Sequence, residues 1–142
     1  MGIFGALTTA IEPTEILTEI RVPVFARRSG SAYLNMRQQA SGFAIVGVAV
    51  WLSLGPNSRC DDIGVGVTGL SHKPFRAHGV EERLRGHKLT PKLVEESSSS
   101  AAENSDPLED LHASAKFRIH LAQVYTARAI QEAAKRAVRR RR

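Results

Sequence analysis

The spacing of apolar residues changes period once along this chain, and that change restricts the fold more than any single motif. Up to about residue 68, apolar positions alternate with polar ones or run together; beyond it they recur every three or four residues. Residues 15–23, EILTEIRVP, place Ile16, Thr18, Ile20 and Val22 on one side and Leu17, Glu19 and Arg21 on the other. Period two predicts a strand, and Pro23 stops its ladder. Residues 31–37 predict a second strand, with Ala32, Leu34 and Met36 facing one way and Tyr33 and Asn35 the other. Residues 43–54, FAIVGVAVWLSL, are rich in β-branched side chains and lie between Gly42 and Gly55. They predict a long, mostly buried strand. Gly55-Pro56-Asn57-Ser58 predicts a turn with proline second, after which Ile63, Val65 and Val67 alternate with Gly64, Gly66 and Thr68. That strand is expected to pair back as a hairpin.

The second half predicts helices. In AHGVEERLRG, Val80 and Leu84 are four apart and Gly86 stands where a helix ends. Thr90-Pro91 opens a second helix, threonine capping and proline in the first turn. The poor helix formers of ESSSSAAEN predict a frayed continuation. A last helix follows Ser114, with Phe117, Leu121, Val124, Ala127, Ile130, Ala134 and Ala137 on one stripe. Strands before helices predict an α+β fold: a three- to four-stranded antiparallel sheet followed by a bundle of about three helices packed on one face. At 142 residues this is one domain. It is expected to span 1–137, with 138–142 as a basic tail.

Charge and composition narrow the function. The net charge is +6, but the four arginines at 139–142 supply four of those charges, leaving about +2. No aromatic-bearing basic strand of the RNA-binding kind is present, so no nucleic-acid partner is expected. The longest apolar run is too short for a membrane span. The first residues, MGIFGALTTAIEPTE, lack the basic start of a secretory signal. Cys60 is the single cysteine, which excludes an internal disulfide and points to a reducing, cytoplasmic setting.

Catalytic chemistry finds no constellation. GVGVTG at 64–69 fits a dinucleotide-binding glycine pattern, but its glycines fall inside the alternating strand and no helix follows directly. Glycines on one strand face instead allow a helix or loop to approach closely. The five histidines never stand three or four apart, so no metal site is expected. No serine lies in a nucleophile elbow, and no catalytic residue is assigned.

Four blocks in series, TTAIEPTEILTEIRVP, GSAYL…ASGFAIVGVAV, VTGLSHKPFRAHGVEERLRG and DLHASAKFRIHLAQVYTARAI, carry a resemblance. Together they resemble the C-terminal domain of the FAD-binding medium subunit of molybdenum hydroxylases, the carbon monoxide dehydrogenase and xanthine dehydrogenase family. The resemblance implies a domain that covers the flavin ring and docks subunits, supporting electron transfer between iron–sulfur clusters and FAD. It implies FAD shared with an N-terminal flavin domain, and molybdopterin and iron–sulfur clusters carried only by partner subunits. The implied partners are that N-terminal domain, an iron–sulfur small subunit and a molybdenum large subunit, where substrate choice resides. No counterpart of the N-terminal domain is found in this sequence, so a fragment, a split subunit or an excised domain is expected, one that binds FAD weakly alone.

By the same resemblance, Tyr33 matches the aromatic of the G-S-A-[YF] block, which lies near the ring in relatives, and Leu17 a flavin-contacting leucine. Leu34 and Asn35 stand where relatives often place a lysine close to the flavin. The family pattern Y-x-K-x-x-x-R-x-S-D is changed here to Asn35, Gln39 and Gly42. A lysine favours negative charge on a reduced flavin, whereas Asn35 donates only a neutral hydrogen bond. From another class, the alternative is a stand-alone, non-catalytic interaction module derived from that domain.

Overall fold

The computed structural model describes residues 11–22, 24 and 28–139. Among these, four strands form one antiparallel sheet in the order β1-β2-β3-β4: β1 Ser29–Arg37, β2 Ala44–Leu54, β3 Cys60–Thr68 and β4 Phe75–Arg76. Three helices follow, α1 His78–Leu84, α2 Pro91–Ser98 and α3 Ala115–Arg139. The α+β order expected from the change of period is therefore the observed one.

Alternation decides the two faces of the sheet. Ala32, Val46, Val48, Val50, Leu52, Ile63, Val65 and Val67 all lie in the core, and their odd-even parity puts them on one face. That face takes α3, which packs along β1 and β2. The fit is close: a Cβ at Gly30 on β1 would lie 2.1 Å from the Ala133 carbonyl oxygen. The helix face that meets the sheet is accordingly built from small residues, Ala122, Thr126, Ala129, Ala133 and Ala137, with Leu121 and Ile130. This rotates the expected stripe. Leu121, Ile130 and Ala137 are buried as the spacing predicted, but Phe117 is largely exposed and Arg118 is buried in its place.

Arg118 earns its burial by hydrogen bonds. Its Nη1 donates to the Ile45 and Gly69 carbonyls at 2.6 and 2.8 Å, and Nη2 to the Asp110 carboxylate at 2.7 Å. Partial desolvation pushes the Asp110 carboxyl up. The bonds it accepts from Arg118 and from the His112 and Ala113 backbone N–H groups outweigh this and hold it below the ordinary range.

The outer edge of β3 is occupied piecemeal. Cys60 N–H donates to His87 O and its carbonyl accepts from Gly86 N–H; the Val65 carbonyl accepts from Ala77 N–H. Val65 N–H itself donates to the Glu81 carboxylate at 2.8 Å, and Arg76 grips the same carboxylate with Nε and Nη2 at 3.0 and 2.8 Å. A buried glutamate on α1 thus finishes the ladder that the two-residue β4 begins.

Two expectations need correction. Residues 15–22 form no strand and are exposed, because no neighbouring strand among the described residues offers them a ladder; Pro23 lies outside the described residues. The serine run does not fray into solvent: Thr90 caps α2 by accepting from Leu93 N–H, the chain turns after Ser98, and Ser97, Ser98, Ser100 and Ala101 are buried. As for the basic tail expected at 138–142, α3 includes Val138 and Arg139, and 140–142 lie outside the described residues. Among the described residues, no helix is long and apolar enough to cross a membrane.

Candidate functional site

The second face of the sheet is assembled from the odd partners of the core residues. Register sets three rows across it: Asn35–Gly47–Thr68, Tyr33–Ala49–Gly66 and Ser31–Trp51–Gly64. Six of these nine residues are glycine, alanine, serine or threonine counted with Gly47, and the two aromatics use that lack of bulk. A Cβ at Gly47 would lie 2.5 Å from the Tyr33 hydroxyl, and one at Gly64 would lie 2.2 Å from the Trp51 Nε1. Each ring therefore lies over a glycine instead of standing off the sheet. Between them Ala49 is exposed, and a Cβ at Gly66 would meet nothing nearer than the Ala49 carbonyl at 4.0 Å.

The result is a shallow depression of about 540 Å³ with Tyr33 and Trp51 as walls, Ala49 and Gly66 as floor, and Arg76 and Arg136 at its rim. Tyr33 is 54% exposed, and Asn35 Nδ2 donates to its hydroxyl at 3.4 Å. Arg136 Nη1 reaches around the sheet edge to the Ser31 carbonyl at 2.8 Å. A flat, apolar surface with a polar handle suits one side of a planar ring.

Of the residues singled out from the sequence, the structure brings Tyr33 and Asn35 together on this face. Leu34, between them, points to the opposite face and packs against the core. Leu17 lies in the 15–22 segment and is 51% exposed. Trp51 and Gly47 were not singled out, and Gly64 only as one of the strand-face glycines that allow a close approach. Their signal was parity, since Trp51 falls two positions along β2 from the residue that pairs with Tyr33. The glycines do permit close approach, as expected of them, but what approaches is an aromatic side chain of the same sheet and not a helix or loop.

A wider depression of about 1200 Å³ meets this one at Arg136, with Lys88, Lys135 and Arg139 among its lining and none of Tyr33, Asn35 or Trp51. Its volume exceeds that of the aromatic face, but it holds none of the residues that the family resemblance places near a ring. Among the described residues, no three His, Cys, Asp or Glu side chains gather as a metal site.

A small α+β domain with one helix-covered sheet face and one open, glycine-floored aromatic face is the class of module these features define. The chain belongs to the family of the CO dehydrogenase flavoprotein C-terminal domain, whose model matches residues 31–133. It is 30% identical over 133 residues to the carbon monoxide dehydrogenase medium chain of Hydrogenophaga pseudoflava, covering 93% of this chain and 46% of that one. It is 31% identical over 132 residues to the nicotine 6-hydroxylase medium subunit of Paenarthrobacter nicotinovorans, with the same coverage. Among solved structures, reconstituted CO dehydrogenase from Oligotropha carboxidovorans superposes with a TM-score of 0.84 at 30% identity, over 93% of this chain and 46% of that chain. The chain thus spans a little under half the length of the curated relatives it matches.

Proposed function

We propose that this chain is the flavin-covering and subunit-docking part of the FAD-binding medium subunit of a molybdenum hydroxylase. The observation that carries this reading is Tyr33: a half-exposed aromatic laid flat on the open sheet face, in a domain of the flavoprotein family. The residues fit the cofactor. Open space above Gly66 and Ala49 leaves room for a planar group, and the two aromatic walls exclude water from one side of it.

In this role the flavin supplies the redox chemistry when bound, passing electrons that arrive from iron–sulfur clusters of a partner subunit. The chain's own residues hold and shield. Tyr33 packs against the ring at low entropic cost, since only two side-chain torsions are fixed. Asn35 orients the Tyr33 hydroxyl by its hydrogen bond and brings no charge, so the ring is covered without a cation from this position. Leu17 joins the contact from the segment ahead of β1. Leu34 acts from behind, through packing that fixes the strand carrying Tyr33 and Asn35. Glycine-rich loops of an N-terminal domain hold the rest of the cofactor, and the molybdenum subunit selects the substrate.

The test has two arms. Titrated alone, the 142-residue chain is expected to bind FAD more weakly than about 1 μM, because most of the cofactor's contacts lie elsewhere. Joined behind the upstream part of the Hydrogenophaga medium chain, it should retain FAD with quenched flavin fluorescence. Tyr33→Ala should relieve the quenching and Tyr33→Phe should keep it. Submicromolar binding by the chain alone, or quenching indifferent to Tyr33→Ala, defeats the reading.

A further inference from the structure

The wide groove between the last turns of α3 and the connection from α1 to α2 gathers cations without counter-charges. Its charged lining residues are Lys88, Glu132, Lys135, Arg136 and Arg139. Glu132 is the single carboxylate of that lining, and it is already engaged: Arg136 Nε donates to it at 2.9 Å, while Nη1 of the same arginine donates to the Ser31 carbonyl. Lys88, Lys135 and Arg139 are exposed, and no carboxylate among the described residues lies within ion-pairing distance of them. Two further arginines border the groove and bond only to neutral acceptors, Arg28 Nη2 to Ser58 Oγ and Arg59 Nη1 to the Gly86 carbonyl. Beyond Arg139 the sequence adds three more arginines, which lie outside the described residues. Like charges held together repel, and a ligand of opposite sign relieves that repulsion.

An apolar strip runs between these cations. Leu54 forms its floor, Leu89 and Pro91 stand at the start of α2, and Ala134 and Val138 lie one turn apart on α3. Val138 is 52% exposed. Lys135 and Arg139 are also one turn apart, so the helix wall carries a cationic row beside its apolar one, and Lys88 adjoins Leu89 on the other wall. A strip of this kind complements a helix whose apolar face is flanked by carboxylates. An extended strand would send its charged side chains away from the groove and not sideways to its rims. A single-stranded nucleic acid needs rings to stack on, and no aromatic residue lines the groove. A lipid surface takes protruding apolar residues, whereas Leu54 lies at the bottom, only 7% exposed.

We propose that this groove docks an acidic amphipathic helix of a partner subunit. The aliphatic face of that helix lies on Leu54, Leu89 and Val138. Its flanking carboxylates pair with Lys88 on one rim and with Lys135 and Arg139 on the other, in charge-assisted hydrogen bonds that set its register. The inference rests on the subunit-docking reading above, to which it gives a place and a partner chemistry. The docked helix leaves Tyr33 and Trp51 uncovered, since neither lines this groove.

Fluorescence anisotropy tests this independently of the flavin. The probe is a labelled synthetic peptide of Glu-Glu-Leu-Leu repeats, titrated with the 142-residue chain. It should bind at low salt with a Kd of about 10 μM. Lys135→Glu/Arg139→Glu should weaken binding at least ~10-fold and should gain binding to a peptide of Lys-Lys-Leu-Leu repeats. Val138→Asn, which removes apolar contact without adding charge, should weaken it roughly 5-fold. Reversing two exposed cations of α3 outside the groove, Lys116→Glu/Arg128→Glu, should change it by less than ~2-fold. All four altered positions are exposed, so Tm should hold in every variant. Equal affinity for a peptide of Glu-Glu-Ser-Ser repeats overturns the proposal, because charge alone then decides. Tighter binding to a single-stranded oligonucleotide or to phosphatidylserine vesicles overturns it in favour of those partners, and affinity indifferent to the groove variants overturns it outright. Quenched FAD in the joined chain with no peptide binding removes the groove and leaves the flavin reading standing; peptide binding at the groove without retained FAD does the reverse.

Discussion

Gly30 on β1 and Ala133 on α3 approach so closely that a methyl group on the glycine would lie 2.1 Å from the alanine's carbonyl oxygen and 2.5 Å from the Ala137 amide nitrogen. Both obstacles are backbone, so neither can turn aside. Gly30→Ala should force the helix off the sheet and cost about 3 kcal/mol. Thermal unfolding should show Tm lowered by roughly 10 °C. An unchanged Tm contradicts the close packing.

Gly64→Ala poses the same steric problem with a different remedy. The atom in the way is Trp51 Nε1, on a side chain that can swing. The variant should fold with a loss of only about 1 kcal/mol but with its indole displaced. Trp51 is the only tryptophan, so its emission reports this directly, and a red shift with near-normal Tm is expected. An unshifted spectrum argues that the ring does not lie over Gly64.

Glu81→Leu removes the acceptor for the buried Val65 N–H and for both Arg76 nitrogens. Leaving these unpaired should cost about 3 kcal/mol. Glu81→Gln keeps one acceptor oxygen and should recover part of the loss. Urea denaturation of the two variants checks the order, and equal stabilities refute the role of the carboxylate as a cap on the strand edge.

Burial, reinforced by Asp62, pushes the Cys60 thiol from the ordinary 9.0 to about 11. The folded state therefore holds its proton more tightly than the unfolded chain does. Stability is complete below pH 9 and declines as pH rises from about 9 to about 11, where only the unfolded state has lost the proton. At pH 8 the folded thiol should react with a disulfide reagent about 100-fold more slowly than in denaturant, from thiolate fraction alone. Comparable rates contradict this burial.

How much of this was legible beforehand depended on what decided each element. The β2–β3 hairpin was readable because Val46 to Val67 bury on parity, and alternation is visible in sequence. Thr90-Pro91 was readable because a cap is local chemistry. The face of α3 was not, because it is chosen by size as much as by hydrophobicity: the sheet lies too close for Phe117, and Arg118 finds carbonyls that no local window contains. Strand 15–23 was read from a real alternation that lacks a neighbour among the described residues. That Tyr33 and Asn35 share one sheet face was legible from their alternation, whereas Trp51 over Gly64 required the register between β2 and β3.

Arg118 couples distant parts of the domain. Its acceptors lie 73 and 49 residues earlier in the chain, at the start of β2 and just beyond β3, with Asp110 close by. Docked before those carbonyls converge, its guanidinium would be sealed away with nothing to receive its protons. Burial of the first turn of α3 is thus tied energetically to a closed β2–β3 hairpin, whose flanking carbonyls its guanidinium requires.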